Sequence, residues 1–177
     1  MNPPEHLQTE RLVLRKPRLT DGEAIFEGYA RDPEVTKYLM WQPHSSIEVT
    51  REFLQGCLEG WSEGNDLSWA ISDGTTDRCI GMVSLRIRAF KADVGYVLAR
   101  KFWGHGFTTE AVQALVAWAF SDPTIFRVWA VCDVENLASA RVLEKVGMSR
   151  EAILRRWVVH PQMGQEPRDC FCFAKVK

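Results

Sequence analysis

The sequence has almost no net charge: 22 Lys and Arg stand against 23 Asp and Glu, a formal charge of −1. Holding nucleic acid by counterion release needs a strong positive field, so no nucleic acid partner is expected. Apolar runs fall well short of the roughly 20 residues that cross a bilayer. The opening MNPPEHLQTERL has no basic segment followed by an apolar one, so neither a membrane span nor a secretory leader is expected. Cysteines are few and odd in number (Cys57, Cys79, Cys132, Cys170 and Cys172) and form no CxxC. In DCFCF the two cysteines lie on one face of a strand, poorly placed to bridge each other. All five read as reduced thiols of a cytoplasmic protein. The histidines His6, His44, His105 and His160 have no ligand spacing to one another or to the cysteines, so no metal is expected. Repeats, low-complexity tracts and linkers are also lacking.

What is present is an ordinary globular mix, 46% hydrophobic and 25% charged over 177 residues, enough for one domain with a substantial core. RLVLRKP alternates apolar and charged residues and predicts a first strand. LTDGEAIFEGYARDP predicts a helix, with Thr20 and Glu23 as a capping box and Pro33 closing it. PEVTKYLMW reads as a short helical turn. A longer helix follows from Ser45 and Glu48, its apolar residues at helical spacing, and ends at Gly64 and Asn65. The period then changes. LSWAIS and CIGMVSLRI flank a DGTTD turn as a hairpin, and DVGYVLA is a fourth strand. TTEAVQALVAWAF is a helix with an apolar stripe. IFRVWAVCDV is a fifth strand, apolar enough to be buried on both faces. NLASARVLEKVGM is a helix ended by Gly147, and AILRRWVVHP and EPRDCFCFAKV are closing strands.

The junction of the fourth strand with the next helix, FWGHGFTTEA (Phe102 to Ala111), is bare of bulk. A strand feeding a glycine-containing turn and then a helix exposes the unpaired N–H groups of the first helical turn, which favour an anion. The dinucleotide fingerprint GxGxxG fails because Thr109 replaces its third glycine, and no GxxxxGK[ST] string exists. From the local residues alone, Gly104 and Gly106 serve a tight turn or a phosphate site about equally well. His105 is a solvent-facing loop residue without metal partners.

YVLARKFWGHGFTTEA followed by ENLASARVLEKVGM resembles the GCN5-related N-acetyltransferases (GNAT), and within them the RimJ/RimL-like ribosomal-protein-alanine acetyltransferase branch. The opening TERLVLRKPRLTD and the tail LRRWVV…RDCFCF extend the resemblance from about Leu7 to the end, as one N-acetyltransferase domain over residues 7–177. The implied fold is an α/β (α+β) GNAT-like one: a mixed, mostly antiparallel sheet of about seven strands flanked by helices, with a splayed, V-shaped opening between strands 4 and 5. The family's Q/R-x-x-G-x-G/A loop falls on Trp103, Gly106 and Thr108, two of them departures from the pattern. The resemblance implies that Trp103, Gly104, His105, Gly106, Phe107 and Thr108 hold the coenzyme A pyrophosphate through their amides. Tyr96, Val97 and Leu98 would pair with the pantetheine arm at a bulge near Gly95, a backbone N–H near Val97 facing the acetyl carbonyl. Asn136 would contact the same arm, and Ser139 would give a proton to the leaving thiolate.

Asp93 is the candidate general base, and Glu110 serves the helix dipole. Tyr38 and Trp41 would wall the acceptor pocket, with Trp157 nearby. The implied activity is acetyl transfer from acetyl-CoA to a primary amine by direct attack in a ternary complex, a protein N-terminal α-amine being one such acceptor. Alternatives are a small-molecule amine acetyltransferase (antibiotic, polyamine or amino acid analogue) and a non-catalytic acyl-CoA-binding module. The chain would be a monomer or homodimer.

Overall fold

Period-2 alternation builds the sheet at the centre of the molecule. The computed structural model describes residues 3–64 and 66–177, so Asn65 lies outside the described residues. Its strands are β1 (His6–Gln8), β2 (Leu12–Arg15), β3 (Asp66–Asp73), β4 (Cys79–Arg88), β5 (Lys91–Leu98), β6 (Arg127–Asp133), β7 (Ser149–Val158) and β8 (Arg168–Val176). They form one sheet in the order β1-β2-β3-β4-β5-β6-β8-β7. Every neighbouring pair is antiparallel except β5 with β6. The sheet has 8 strands rather than about seven. The additional one is His6–Gln8, three residues whose pattern is too short to read as a strand but which pair with Val13–Arg15. The fourth and fifth strands of the sequence reading are therefore β5 and β6.

The helices are α1 (Gly22–Ile25), α2 (Pro33–Thr36), α3 (Ile47–Glu63), α4 (Phe107–Ser121) and α5 (Leu137–Lys145). Before α1 a 3-10 turn covers Leu19–Asp21, and a π turn follows it over Phe26–Ala30. Thr20 does not cap this segment. Arg18 is the cap residue, and its amide donates to Asp21 Oδ2 at 2.8 Å. Ser46, not Ser45, is the cap residue of α3, and Gly64 ends that helix at φ 76°.

Residues facing opposite sides of the sheet build two cores. Val83, Leu85, Ala92, Val94 and Leu98 pack with α4 and α5. Ala70, Met82 and Val97 pack with Ile25, Tyr29 and Leu54 from the α1 and α3 region. Alternation along β5 thus sends Val94, Tyr96 and Leu98 to one layer and Val97 to the other. No helix among the described residues is long and apolar enough to cross a membrane. The five cysteines are buried and unbridged.

Candidate active site

β5 and β6 run parallel but pair only at Lys91–Arg127, Ala92–Val128 and Asp93–Trp129. Beyond Asp93 the two strands part. Val94 to Leu98 and Ala130 to Asp133 line one open cavity of about 1460 Å³. A drug-sized ligand usually occupies about 300–1,000 Å³, so this space suits two substrates side by side.

The expected bulge at Gly95 is not there. The β4–β5 register runs without a shift from Arg88–Lys91 to Gly81–Leu98. A Cβ on Gly95 would stand 3.0 Å from Ser84 Oγ, so this glycine serves a close approach. Regular pairing decides which peptide groups face the opening. The Ala99 amide donates to Ile80 O at 2.9 Å, which fixes the alternation along this antiparallel pair. Val97 therefore turns its N–H and C=O toward Met82, and Tyr96 and Leu98 turn theirs toward the gap. The amide expected at Val97 is thus displaced by one residue, to Tyr96 or Leu98.

The loop after β5 is fixed from both ends. The indole N–H of Trp103 donates to Leu98 O at 2.8 Å. Gly104 and Gly106 adopt φ of 79° and 81°, the left-handed region that side chains avoid. Glu110 N is the first amide of α4 to find a helical acceptor, Gly106 O at 3.0 Å. The amides from Gly104 to Thr109 have no acceptor among the described residues. Gly104, Gly106, Phe107, Thr108 and Thr109 line the cavity. Free backbone N–H groups gathered at a helix start are an arrangement that favours an anion.

Arg11, which the sequence does not single out, braces that loop. Its guanidinium donates to His105 O at 3.0 Å, lies 4.7 Å over the Phe107 ring and pairs with Glu110 at 2.7 Å. Glu110 also accepts from the Thr9 hydroxyl at 2.6 Å and the Arg11 amide at 2.8 Å. Burial would raise its carboxyl, but these hydrogen bonds outweigh that and hold it below the usual range. Glu110 therefore ties the β1–β2 turn to the loop besides facing the helix dipole. His105 stacks on Phe107 and is exposed.

On the far side of the gap, Asn136 caps α5 by accepting the Ser139 amide at 3.1 Å. Ser139 Oγ lies 2.7 Å from the Tyr96 hydroxyl. The sequence resemblance gives Tyr96 only a backbone role. Strand alternation brings the Tyr96 phenol to α5 from across the opening. Burial pushes that phenol well above its ordinary range, against the opposing hydrogen bond from Ser139, so it stays protonated. Cys132 on β6 is held neutral in the same way, its thiol pushed up by burial to about 11.

The layer of α1 to α3 forms the other wall. Tyr38, Met40, Trp41, His44 and Phe53 line it, and Trp41 and Phe53 pack tilted against His44 at 4.9 and 5.9 Å. The His44 Nδ1 is 2.8 Å from the Thr50 hydroxyl, and burial lowers its imidazole, keeping the ring neutral. Trp157 lies at the rim, 52% exposed. Asp93 lines the cavity, but its Oδ2 is gripped by Arg86 through Nε at 2.7 Å and Nη2 at 2.5 Å. Arg86 thus occupies one oxygen of this carboxylate. Among the described residues, no three His, Cys, Asp or Glu side chains gather as metal ligands.

Comparison with known proteins bears on this arrangement. A family model described as an acetyltransferase (GNAT) domain matches residues 11–149. The uncharacterised N-acetyltransferase p20 of Bacillus licheniformis is 34% identical over 154 residues, 85% of this chain and 86% of its own length. Two solved structures share the fold at lower identity. RimL, a ribosomal alpha-N-protein acetyltransferase in complex with coenzyme A, superposes with a TM-score of 0.87 at 22% identity, covering 97% of this chain and 98% of that one. The microcin self-immunity acetyltransferase MccE, in complex with acetyl-CoA and AMP, gives 0.88 at 21%, covering 99% and 98%.

Proposed function

We propose that this chain, which belongs to the acetyltransferase (GNAT) family, is an N-acetyltransferase that carries the acetyl group of acetyl-CoA to a primary α-amine, a protein or peptide N-terminus. The observation that carries this is the parting of β5 from β6 beside a nest of free amides. A pantetheine arm is an extended, amide-bearing chain that adds to a strand edge through main-chain hydrogen bonds. Tyr96 and Leu98 offer that edge, with Asn136 facing it across the opening. The amides of Gly104 to Thr108 would hold the pyrophosphate. Thr108 adds a hydroxyl at the helix start, and Trp103 acts through its brace to Leu98 O rather than by touching phosphate.

Acetyl-CoA supplies the thioester. The chain's own groups orient it and handle charge and protons. The Tyr96 or Leu98 amide polarises the acetyl oxygen as negative charge develops there. The Ser139–Tyr96 hydroxyl pair protonates the departing thiolate. The amine enters from the side of α1 to α3, where Tyr38 and Trp41 flank its path. Exposed Met40 and Trp157 at the rim leave room for a chain that continues into solvent, which favours a peptide. A small-molecule amine is the second reading, supported by the aromatic side chains Tyr38, Trp41 and Phe53 that line this wall.

The test is calorimetric titration with acetyl-CoA, followed by thiol release over matched panels of N-terminal peptides and small amines. Binding with turnover on peptides bearing a free α-amine is expected. Absence of acetyl-CoA binding would overturn the proposal, and turnover confined to small amines would select the second reading.

A further inference from the structure

The proton of the attacking amine needs an acceptor, and Asp93 has one oxygen engaged by Arg86. One buried group in the same cavity has an unused acceptor. His160 follows β7 and is 4% exposed, and neither ring nitrogen makes a hydrogen bond among the described residues. Native structures rarely leave a buried polar atom unpaired unless a ligand or water completes it. Asp133, at the end of β6, lies beside this ring, its Oδ2 3.4 Å from His160 Nε2.

Asp133 is itself fully buried. It accepts from Arg168 Nε at 2.7 Å and from the Glu135 amide at 2.8 Å. Burial would raise its carboxyl, but Arg168 and the amide outweigh that and keep it ionised. A negative charge next to Nε2 draws the imidazole proton to that nitrogen and leaves Nδ1 with a lone pair. The ring is held in place. Tyr38 stands edge-on to it at 6.1 Å, and Gln162 anchors the same loop by hydrogen-bonding the Thr36 hydroxyl of α2. The other titratable groups beside the carboxylate include Arg168 on β8 and the thiols of Cys132 and Cys170, each pushed up by burial to about 11. His160 and Tyr38 line the cavity that Ser139 and Tyr96 line.

From this juxtaposition we infer that His160 Nδ1 accepts the proton of the acceptor amine, directly or through one water, with Asp133 as its positioning residue. The inference rests on the acetyltransferase reading above. As the amine nitrogen bonds to the acetyl carbon and the carbon–sulfur bond breaks, the amine proton passes to Nδ1. The thiolate takes a proton from the Ser139–Tyr96 pair. Transfer of one proton from the imidazolium to that pair through bulk water restores both, leaving amide and free thiol as net products.

Two measurements test it. The first uses the unliganded wild-type protein: 15N NMR of the imidazoles, which is tractable with 4 histidines. The His160 ring should show a protonated Nε2 and an unprotonated Nδ1, and the opposite tautomer overturns the inference. The second is the pH profile of kcat/KM for wild type and His160→Gln on an accepted amine. The variant should lose roughly 100-fold or more in kcat, together with the fall in rate toward acid pH, while calorimetric acetyl-CoA affinity is unchanged. A His160→Gln enzyme that keeps wild-type kcat and the same acid limb overturns this inference alone. Failure of the wild type to bind acetyl-CoA or acetylate any amine overturns the reading beneath it as well.

Discussion

Tyr96 and Ser139, 43 residues apart in sequence, meet across the opening between β5 and α5 with their hydroxyl oxygens 2.7 Å apart. Under the proposed mechanism one hydroxyl relays to the other, and the pair acts as a single proton donor. Tyr96→Phe and Ser139→Ala should each lower kcat by roughly 10²–10⁴-fold, with little change in acetyl-CoA affinity. The double variant should be scarcely worse than the more damaged single one, because groups that act as a unit are not additive. Steady-state kinetics on the four proteins checks this, and fully multiplicative losses would refute a shared role.

The same pair sets an expectation for alkaline pH. Burial disfavours the phenolate of Tyr96, so its folded-state value lies above the ordinary one. The neutral phenol, the form that donates, therefore persists as pH rises through the range where a free tyrosine, near ~10, would begin to ionise. Between about pH 7 and pH 9.5 kcat should show no decline attributable to this group. Rate profiles at saturating acetyl-CoA measure it, with protein fold monitored in parallel. A decline that Tyr96→Phe abolishes would show the phenol ionising in that range.

Local signals in the chain carried most of this architecture. The stripe in TTEAVQALVAWAF, the glycine stop at Gly147 and the Asn136 cap all depend on neighbours within a few residues, and all appear as expected. The loop of free amides was legible for the same reason, since strand, glycines and helix start are contiguous. What failed to show in the sequence was long-range or depended on hydrogen-bond phase. Period-2 alternation reveals which face Tyr96 takes, but not that Ser139 will be opposite it. Nor does it reveal that Val97 points its peptide group at β4, because that phase is set by the pairing of Ala99 with Ile80. Arg11 and Glu110 are 99 residues apart, and their bond depends on how the β1–β2 turn meets α4. Asp93 looked free in sequence because its partner Arg86 lies on the preceding strand, directly opposite in register.

Gly104 separates backbone conformation from space. A Cβ there would meet nothing within 4 Å, so only its φ of 79° opposes a side chain. The left-handed region costs roughly 1–2 kcal/mol for an ordinary residue. Gly104→Ala should therefore either lower stability by about that amount or relax the loop and weaken acetyl-CoA binding by about tenfold. Arg11→Ala should also weaken binding, by removing the brace on His105 O and Glu110. Calorimetric affinities with thermal melts distinguish the two routes. Unchanged affinity and stability in both variants would contradict a preorganised nest.

Arg15 on β2 has 2% of its side chain exposed, gripping Asp21 through two hydrogen bonds of 2.8 and 2.6 Å and Asp77 through its carboxylate at 2.7 Å and its carbonyl at 3.0 Å. Removing the buried partner of a buried charge is expensive, because Arg15 is then left with only the half-exposed Asp77 to offset its desolvation. Asp21→Ala should cost about 3–5 kcal/mol, lowering the melting temperature by roughly 10 °C for a chain of this size. Replacing both members, Arg15→Met with Asp21→Leu, should recover part of that loss, since no unpaired charge is then left buried. Asp77 adds a pH dependence. Hydrogen bonds from Arg18 first, then Arg15, hold its carboxyl below the usual range. A carboxyl depressed by folding contributes stability above its unfolded value, near pH ~4, and that contribution is lost as pH falls through the folded value. The half-exposed site makes the effect modest. Denaturant unfolding from pH 7 down to pH 3 should show the Asp77→Asn protein less stable than wild type at neutral pH, with the difference shrinking toward acid. A gap that stays constant with pH would rule out this ion-pair origin.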